Sequence, residues 1–323
     1  MSVFLRAIFL LLPGLLIATT PATSEKTSSA PTGWTRSPAF VHSVQKRIHS
    51  AHTGRDYLIF LSIPETPPPA GGFPVLYLLD GENTFPLAAL MSQKWREHGP
   101  RLGLYPGIIV GIGHIKTEQD KNPRAEDFTP PAPDLSATGD FSGAPQGGAD
   151  RFLDFLDKEL RPQLAAEFSL HPRQQTLFGH SYGGLFTLHT LFTRPDSFQR
   201  YIAASPSIWW NNTHIFKERD AFLRQWRKGN SPSPKILITV GDQEQKPLPH
   251  HQARGRAELV TSRKMVDQAK ELAAELSSAG LPASFLLFPD ENHGSALVTA
   301  LNHAIRIAFS NPVSLPKEKL RTF

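Results

Sequence analysis

The chain has 323 residues, 40% of them hydrophobic and 20% charged, with a formal net charge of +5 and no cysteine. This length and composition fit one large core, as in a single α/β domain with extensions. The lack of cysteine excludes disulfides, a thiol nucleophile and a lipid-modified N-terminal cysteine. The sequence has neither a clustered basic helix nor an interleaving of basic and aromatic residues, so we expect no nucleic-acid partner.

The N-terminus has the pattern of an export signal. Arg6 precedes a short apolar run over residues 7–18, and small residues up to Ala22 suit cleavage. We therefore predict a signal peptide over residues 1–22 and a periplasmic protein. An uncleaved anchor, giving loose association with the inner membrane, is the alternative, although Pro13 and the short apolar run disfavour a stable span.

Beyond the signal, apolar segments alternate with helical patterns. Residues 40–48 and 57–63 alternate in polarity and predict an antiparallel strand pair. Further strands are predicted at 74–79, 107–112, 176–178, 201–204, 235–240 and 284–288, and helices at 151–168, 221–227, 264–278 and 296–309. This alternation predicts an α/β fold with a mostly parallel central sheet, antiparallel N-terminal strands and helices on both faces. Ligand chemistry is then expected at the carboxyl ends of the strands.

The same pattern predicts one domain over residues 39–312. Residues 23–38 are rich in Ser, Thr and Pro, which is typical of a flexible lead-in, and residues 313–323 are expected to form a tail. A long polar insertion at residues 116–148 interrupts the alternation of strands and helices. Such a segment is either a disordered insertion or a flap over the site, and Arg124 with a nearby aromatic residue favours the flap.

A serine between glycines follows the strand predicted at 176–178. In the run Gly179-His-Ser-Tyr-Gly-Gly184, glycines lie two residues before and two residues after Ser181, and an apolar helical face comes next. Glycines at these positions allow the sharp strand-to-helix turn of a nucleophile elbow, which presents the serine at the edge of the sheet. Ser181 is therefore the candidate nucleophile.

A serine hydroxyl needs a base to accept its proton, and histidine suits that role. In the α/β-hydrolase order, the acid and then the histidine follow the serine on loops after later strands. His293 has this position, after the strand predicted at 284–288. Asp242 and Glu244 follow the strand predicted at 235–240, and either could orient the imidazole. The turn off the strand favours Glu244, while Asp242 and a dyad without an acid stay open.

The tetrahedral intermediate of acyl transfer needs two fixed N–H donors. One is expected from the backbone of Tyr182, directly after the serine. The other is expected from Glu82, in the turn after the strand predicted at 74–79. This chemistry uses no metal or organic cofactor, and we expect none. The adjacent His250 and His251 have no carboxylate or cysteine at ligand spacing, which favours a solvated loop over a metal site.

Several short motifs occur together in this chain. They are Leu79-Asp-Gly81, Gly179-His-Ser-Tyr-Gly-Gly184, Ser205-Pro-Ser-Ile-Trp-Trp210, Val240-Gly-Asp-Gln-Glu244 and His293-Gly294. Their combination resembles the esterase branch of the α/β-hydrolases that includes esterase D, mycolyltransferases and enterochelin esterases. It looks most like the exported catecholate-siderophore trilactone esterases of Gram-negative bacteria. Some members of this group are described as using a Ser–His dyad, which keeps the acid open here.

The resemblance also implies a substrate and the residues that would bind it. A catecholate siderophore such as enterobactin has flat rings and, with iron, negative charge, which Arg124 and either Trp209 or Trp210 would suit. The expected partner is a small-molecule ester, with or without iron, and the expected state is a monomer. The alternatives are another extracellular ester, an acyl transfer, or a non-catalytic binding role, which the intact Ser181 and His293 disfavour.

Overall fold

The computed structural model describes residues 35–36, 43–115, 122–226, 233–249, 252 and 255–310. The predicted signal peptide, most of the lead-in, the C-terminal tail and the pair His250 and His251 lie outside the described residues. Among those that are described, no helix is both long and apolar enough to cross a membrane.

A nine-stranded mixed sheet forms the centre of the fold, with strand order β1-β2-β3-β5-β4-β6-β7-β8-β9. The pairs β1–β2, β2–β3 and β3–β5 are antiparallel. The other neighbouring pairs in the sheet are parallel. This arrangement confirms the predicted fold class. The strands are β1 Thr35–Arg36, β2 Ser43–His49, β3 Asp56–Ser62, β4 Phe73–Leu79, β5 Ile108–His114, β6 Leu170–His180, β7 Arg200–Ala204, β8 Lys235–Gly241 and β9 Ala283–Phe288.

Helices connect the parallel strands and cover both faces of the sheet. They comprise Gly81–His98, Pro123–Asp127, Ala149–Phe155, Arg161–Glu167, Tyr182–Thr193, Trp210–Thr213, Ile215–Gln225, Ala257–Ser262, Met265–Ser278 and Ala296–Phe309, with a 3-10 turn at Gly99–Leu102 and a π-helical turn at Leu156–Leu160. Tyr182–Thr193 is called the elbow helix below. The helix predicted at 151–168 is thus two α-helical segments joined through the π-helical turn.

The central strand β4 is buried along its whole length, and its side chains alternate between the two faces of the sheet. Val75, Tyr77 and Leu79 join one apolar core, whereas Leu76 and Leu78 join the core on the other face. The first core is closed by the elbow helix and the helices Ile215–Gln225 and Met265–Ser278, and the second by the helices Gly81–His98 and Ala296–Phe309.

Two elements extend beyond the sequence prediction. Strand β6 spans Leu170–His180: its polar first half lacks an apolar pattern and pairs with β4 at Leu170, before a shift in register to Gln175. Helix Gly81–His98 was not named among the predicted helices. It contains Pro86 and faces the core mainly with Phe85 and two alanines, so its apolar periodicity is weak.

A buried histidine ties the elbow helix to its neighbours. The side chain of His189 is 1% exposed, with Nδ1 2.9 Å from Glu218 Oε2 and Nε2 3.2 Å from Asp150 Oδ1. Burial opposes protonation, but the hydrogen bonds with the two carboxylates outweigh it and raise the pKa of His189 to about 9. The charged imidazole therefore links three helices behind the elbow.

The insertion at 116–148 packs against the carboxyl edge of the sheet where the structure describes it. After the helix Pro123–Asp127, Thr138 accepts a hydrogen bond at its carbonyl from Asn211 N at 2.9 Å. Asp140 Oδ2 accepts the hydroxyl of Tyr182 at 2.7 Å. These contacts place the segment beside the predicted elbow, in agreement with the flap interpretation.

Candidate active site

Ser181 lies at the sharp turn between β6 and the elbow helix, with φ of 60° and ψ of −117°. A non-glycine residue adopts such a backbone conformation only when its surroundings impose it. A Cβ on Gly179 would lie 2.1 Å from the carbonyl oxygen of Gly183, and one on Gly184 would lie 2.8 Å from the carbonyl oxygen of Ala204. Close backbone packing thus excludes a side chain at Gly179 and at Gly184, whereas a Cβ on Gly183, the glycine two residues after the serine, would make ordinary contacts of 3.4 Å and more.

His293 and Glu244 form a direct pair. His293 Nδ1 lies 2.6 Å from Glu244 Oε2. The other carboxylate oxygen accepts the hydroxyl of Ser205 at 2.6 Å and the backbone N–H of Gly241 at 2.7 Å. The Glu244 side chain is 1% exposed, whereas that of His293 is 47% exposed. A fixed, buried carboxylate therefore orients an imidazole that can still reach a bound molecule.

The ionisation of Glu244 depends on these contacts. Burial by itself would raise the pKa of this carboxyl, but the hydrogen bond and charge of His293 oppose it, helped by Ser205 and the Gly241 N–H, and leave the pKa below its ordinary value. Glu244 is thus held as a carboxylate at neutral pH. In this form it can stabilise the imidazolium that arises when His293 accepts a proton.

Asp242, the alternative acid, points elsewhere. Its Oδ2 lies 3.3 Å from Lys246 Nζ, and its backbone N–H donates to the carbonyl of Phe288 at 3.0 Å. These are contacts of a turn after a strand. Of the two carboxylates predicted from the sequence, Glu244 is the one that contacts His293.

The elbow and the imidazole lie next to each other. The ring centroid of His180, the residue before Ser181, is 4.6 Å from that of His293. Ser181 Oγ makes its hydrogen bond, at 3.4 Å, with Ser207 Oγ. A hydrogen bond between Ser181 Oγ and His293 is absent among the described residues, and catalytic hydrogen bonds are often long before substrate binds.

His180 also holds the loop that carries the imidazole. Its Nε2 lies 2.8 Å from the backbone carbonyl oxygen of His293, to which it donates. Desolvation and the nearby charge of His293 lower the pKa of His180 to about 3. A neutral ring in this place fixes the loop that carries His293 without adding a second positive charge. The sequence pattern around the serine does not show this polar contact.

The two predicted oxyanion donors begin two helices. Tyr182 is the first residue of the elbow helix, and Glu82 is the second residue of Gly81–His98, so both N–H groups belong to first turns that lack intrahelical acceptors. The turns adjoin, because a Cβ on Gly183 would lie 3.4 Å from Leu79 Cβ. The carboxylate of Glu82 accepts the backbone N–H of His114 at 3.3 Å, which holds that turn.

Arg124, predicted to bind substrate, is engaged with the chain itself. Its Nε and terminal nitrogen donate to both oxygens of Asp80, at 2.6 and 2.9 Å, and its guanidinium lies over the rings of Phe128 and Tyr182. Asp80 holds a left-handed backbone conformation with φ of 53° at the end of β4. The arginine therefore fixes the turn that carries Glu82, the second predicted oxyanion donor.

A cluster that could hold a cation surrounds the same turn. Oxygens of Asp80 and Glu82 and a ring nitrogen of His114 lie within 4.8 Å of one another. Asp127 Oδ2 lies 3.0 Å from His114 Nε2, and His114 Nδ1 is buried without a hydrogen-bond partner. However, the guanidinium of Arg124 already neutralises Asp80 through both of its oxygens, so the cluster has its own cation.

The two tryptophans have different surroundings. Trp210 is fully buried and donates from Nε1 to Gln146 Oε1 at 2.6 Å, so its ring is not available to a ligand. Trp209 is partly exposed, with its ring centroid 6.1 Å from that of Tyr182. Arg263 Cζ lies 3.5 Å from the centroid of the Trp209 ring. Of the two predicted aromatic residues, only Trp209 lies at the accessible rim of the site.

Sequence reasoning did not identify Ser205, Ser207, Asp140 and Arg263 as residues of this site. Ser205 and Ser207 belong to the motif Ser205-Pro-Ser-Ile-Trp-Trp210, which was interpreted only through its tryptophans. A further signal is backbone strain, since Ser205 has φ of 44° where β7 ends. Sequence patterns do not show which side chains such a turn brings together.

The mostly parallel sheet, the helices on both faces and the strained elbow at a strand end define an α/β-hydrolase fold. The model of the family described as "Putative esterase" matches residues 50–280. The chain belongs to this esterase family, which confirms the resemblance drawn from the motifs.

Relatives with described activities are similar over most of their length. The chain is 38% identical to the ferri-bacillibactin esterase of Bacillus subtilis, over 88% of this chain and 96% of the relative. It is 35% identical to the siderophore triacetylfusarinine C esterase of Aspergillus fumigatus, over 80% of this chain and 90% of the relative. Among solved structures, a siderophore hydrolase from Aspergillus nidulans is similar, with a TM-score of 0.73 and 32% identity over 84% of this chain and 95% of that one.

Proposed function

We propose that this chain is an exported serine esterase that hydrolyses ester bonds of a siderophore, namely a catecholate trilactone of the enterobactin type. The observation that carries the proposal is the buried Glu244 paired with His293 at 2.6 Å, beside the strained serine elbow. The similarity to siderophore esterases supports the substrate class. We propose Ser181 as nucleophile, His293 as base and Glu244 as the acid.

In the first half of the reaction, Ser181 Oγ bonds to the ester carbonyl carbon while His293 Nε2 accepts the hydroxyl proton. The carbonyl π electrons move to oxygen, and the N–H groups of Tyr182 and Glu82 stabilise that charge. As the C–O bond breaks, the imidazolium returns its proton to the leaving alcohol. Glu244 keeps the imidazole in the tautomer with the proton on Nδ1 throughout.

In the second half, a water molecule takes the place of the alcohol. His293 accepts its proton, hydroxide adds to the acyl carbon, and the bond to Ser181 Oγ breaks with return of the proton to serine. An alcohol in place of water would give acyl transfer. Product analysis by mass spectrometry in the presence of added alcohols distinguishes the two outcomes.

Ser181→Ala and His293→Ala test the catalytic assignment. Because nucleophile and base act as one unit, we expect each variant to lose at least about 10³-fold in kcat on a short-chain aryl ester, with an unchanged melting temperature. A variant that kept near wild-type turnover would show the assignment to be wrong.

Substrate choice is tested with the ferric and iron-free forms of enterobactin, bacillibactin and triacetylfusarinine C. Mass spectrometry should show ring opening of enterobactin with kcat/KM well above that for simple aryl esters. Failure on every siderophore, with retained turnover of the aryl ester, would leave the serine esterase and remove the siderophore from the proposal.

We further propose export to the periplasm as a monomer, with at most loose association with the inner membrane, on the basis of the apolar run behind Arg6. Fractionation of the native host followed by N-terminal sequencing should find a cleaved form in the periplasm, and light scattering should give the monomer mass. Full-length protein in the cytosol would contradict export.

A further inference from the structure

Arg263 has a charge that the described residues leave without a carboxylate partner. Its terminal nitrogen donates to the carbonyl of Gly139 at a long 3.4 Å, and its Nε is buried with no hydrogen-bond partner. Asp140 is the neighbouring carboxylate, but its oxygens accept from Tyr182 Oη and Ser142 N, both at 2.7 Å. Burial, together with the nearby charge of Arg256, lowers the pKa of Arg263, and the opposing effect of Tyr182 and Asp140 does not outweigh it.

The position of this guanidinium is fixed by an aromatic platform. Arg263 Cζ lies 3.5 Å from the centroid of the Trp209 ring, a cation–π contact. A Cβ on Gly139 would lie 3.2 Å from the same ring, so the flap backbone also covers part of Trp209. The tryptophan is thus a support for Arg263 rather than a free wall for a substrate ring.

The platform adjoins the nucleophile. The Trp209 ring is 6.1 Å from the ring of Tyr182, the residue directly after Ser181. Arg263 is therefore linked through the rings of Trp209 and Tyr182 to the turn that carries Ser181. An arginine stacked on a ring presents its N–H groups in the plane of the guanidinium, and the terminal N–H groups that the chain does not use can bind a planar anion.

Arg124 differs from Arg263 in this respect. Two of its nitrogens, Nε and a terminal nitrogen, already donate to the Asp80 carboxylate, at 2.6 and 2.9 Å. A substrate anion at Arg124 would compete with that carboxylate, whereas one at Arg263 would supply the missing counter-charge.

We propose that Arg263, held on Trp209, is the residue that selects ester substrates with a negatively charged aromatic group. The inference rests on the proposed esterase function and assigns the anion-binding role to Arg263 in place of Arg124. It implies a preference for anionic over neutral esters of the same size, expressed mainly in KM because the contact is made in ground and transition state alike.

A matched pair of probes tests the proposal: 4-acetoxybenzoate, which is anionic, and its neutral methyl ester. Arg263→Met keeps an apolar stem without charge, and we expect it to raise KM for the anion about tenfold while changing kcat/KM for the methyl ester less than twofold. Arg263→Lys should lie between wild type and Arg263→Met. The control Arg256→Gln removes a neighbouring, exposed arginine and should change neither probe more than twofold.

The salt dependence of KM and the substitution of Trp209 test the proposal independently. Raising the salt concentration should reduce the preference of the wild type for the anion and leave Arg263→Met almost unaffected. Trp209→Leu should reproduce the anion-specific rise in KM because the guanidinium loses its support. Equal losses on both probes, or no loss on the anion, would overturn the proposal.

Binding without turnover separates this inference from the esterase proposal. In the Ser181→Ala background, tryptophan fluorescence should show that Arg263→Met raises the Kd for ferric enterobactin about tenfold or more and that Arg256→Gln does not. A wild type that hydrolyses neither the probes nor any of the siderophores, together with this Arg263-dependent binding, would refute the esterase and retain the anion site. An active wild type, together with a Kd that Arg263→Met does not change, would retain the esterase and refute the anion site.

Discussion

The substitution Glu244→Gln tests the proposed orientation of the catalytic imidazole. The carboxylate accepts hydrogen bonds from His293 Nδ1, the Ser205 hydroxyl and the Gly241 N–H. Glutamine has the same shape but is neutral, and one of its two ends is a donor. Because all three neighbours donate to this side chain, the amide NH2 must face at least one donor.

The contacts set the size of the expected loss. Two unit charges 4 Å apart interact by about 4 kcal/mol at an effective dielectric constant near 20. His293 is 47% exposed, so solvent screens part of this attraction. A loss of roughly 2–4 kcal/mol in the transition state corresponds to a fall in kcat between about 30-fold and 10³-fold, since each 1.36 kcal/mol is tenfold.

The assay is steady-state hydrolysis of a short-chain aryl ester, with thermal unfolding as the check on folding. Asp242→Asn is the matched control, because its carboxylate contacts Lys246 in a turn, and we expect less than a threefold change in kcat. A larger loss for Asp242→Asn than for Glu244→Gln would move the role to Asp242. Equal mild losses would indicate a dyad without an acid.

Three other outcomes follow from the described contacts. His180→Phe removes the hydrogen bond to the His293 carbonyl, worth about 1 kcal/mol, so kcat should fall about fivefold, and His180→Gln should restore part of it. Because the pKa of His189 is raised to about 9, the unfolding free energy should hold below pH ~6.5 and fall as pH rises through 9; His189→Gln should abolish this slope in denaturant titrations at several pH values. Gly179→Ala puts a Cβ 2.1 Å from backbone and should cost about 3 kcal/mol of stability in the same titrations; an unchanged midpoint would contradict the packing argument.

The fold class and the candidate nucleophile follow from local features of the sequence. Short apolar strands alternating with helices specify a mostly parallel sheet, because both faces of such a sheet must be buried. The elbow could be identified because the backbone contact that excludes a side chain at Gly179 is local, with Gly183 four residues along the chain. The order of serine, acid and histidine was also readable, since each follows an apolar strand. The comparisons with known esterases agree with these predictions of fold and family.

Tertiary structure decided what depends on contacts between distant segments. The sequence did not decide between Asp242 and Glu244 as the acid, because both follow the same strand within a few residues. Only the contact with His293, 49 residues after Glu244, distinguishes them. Likewise, sequence cannot show that Arg124 pairs with Asp80, 44 residues earlier. Sequence likewise cannot show that Arg263 donates to the carbonyl of Gly139, 124 residues earlier, and has no carboxylate partner among the described residues. The sequence therefore determined which chemical groups are available at the sheet edge. Packing determined which of them have partners within the chain, because a charge is compensated only by groups that lie within a few ångströms.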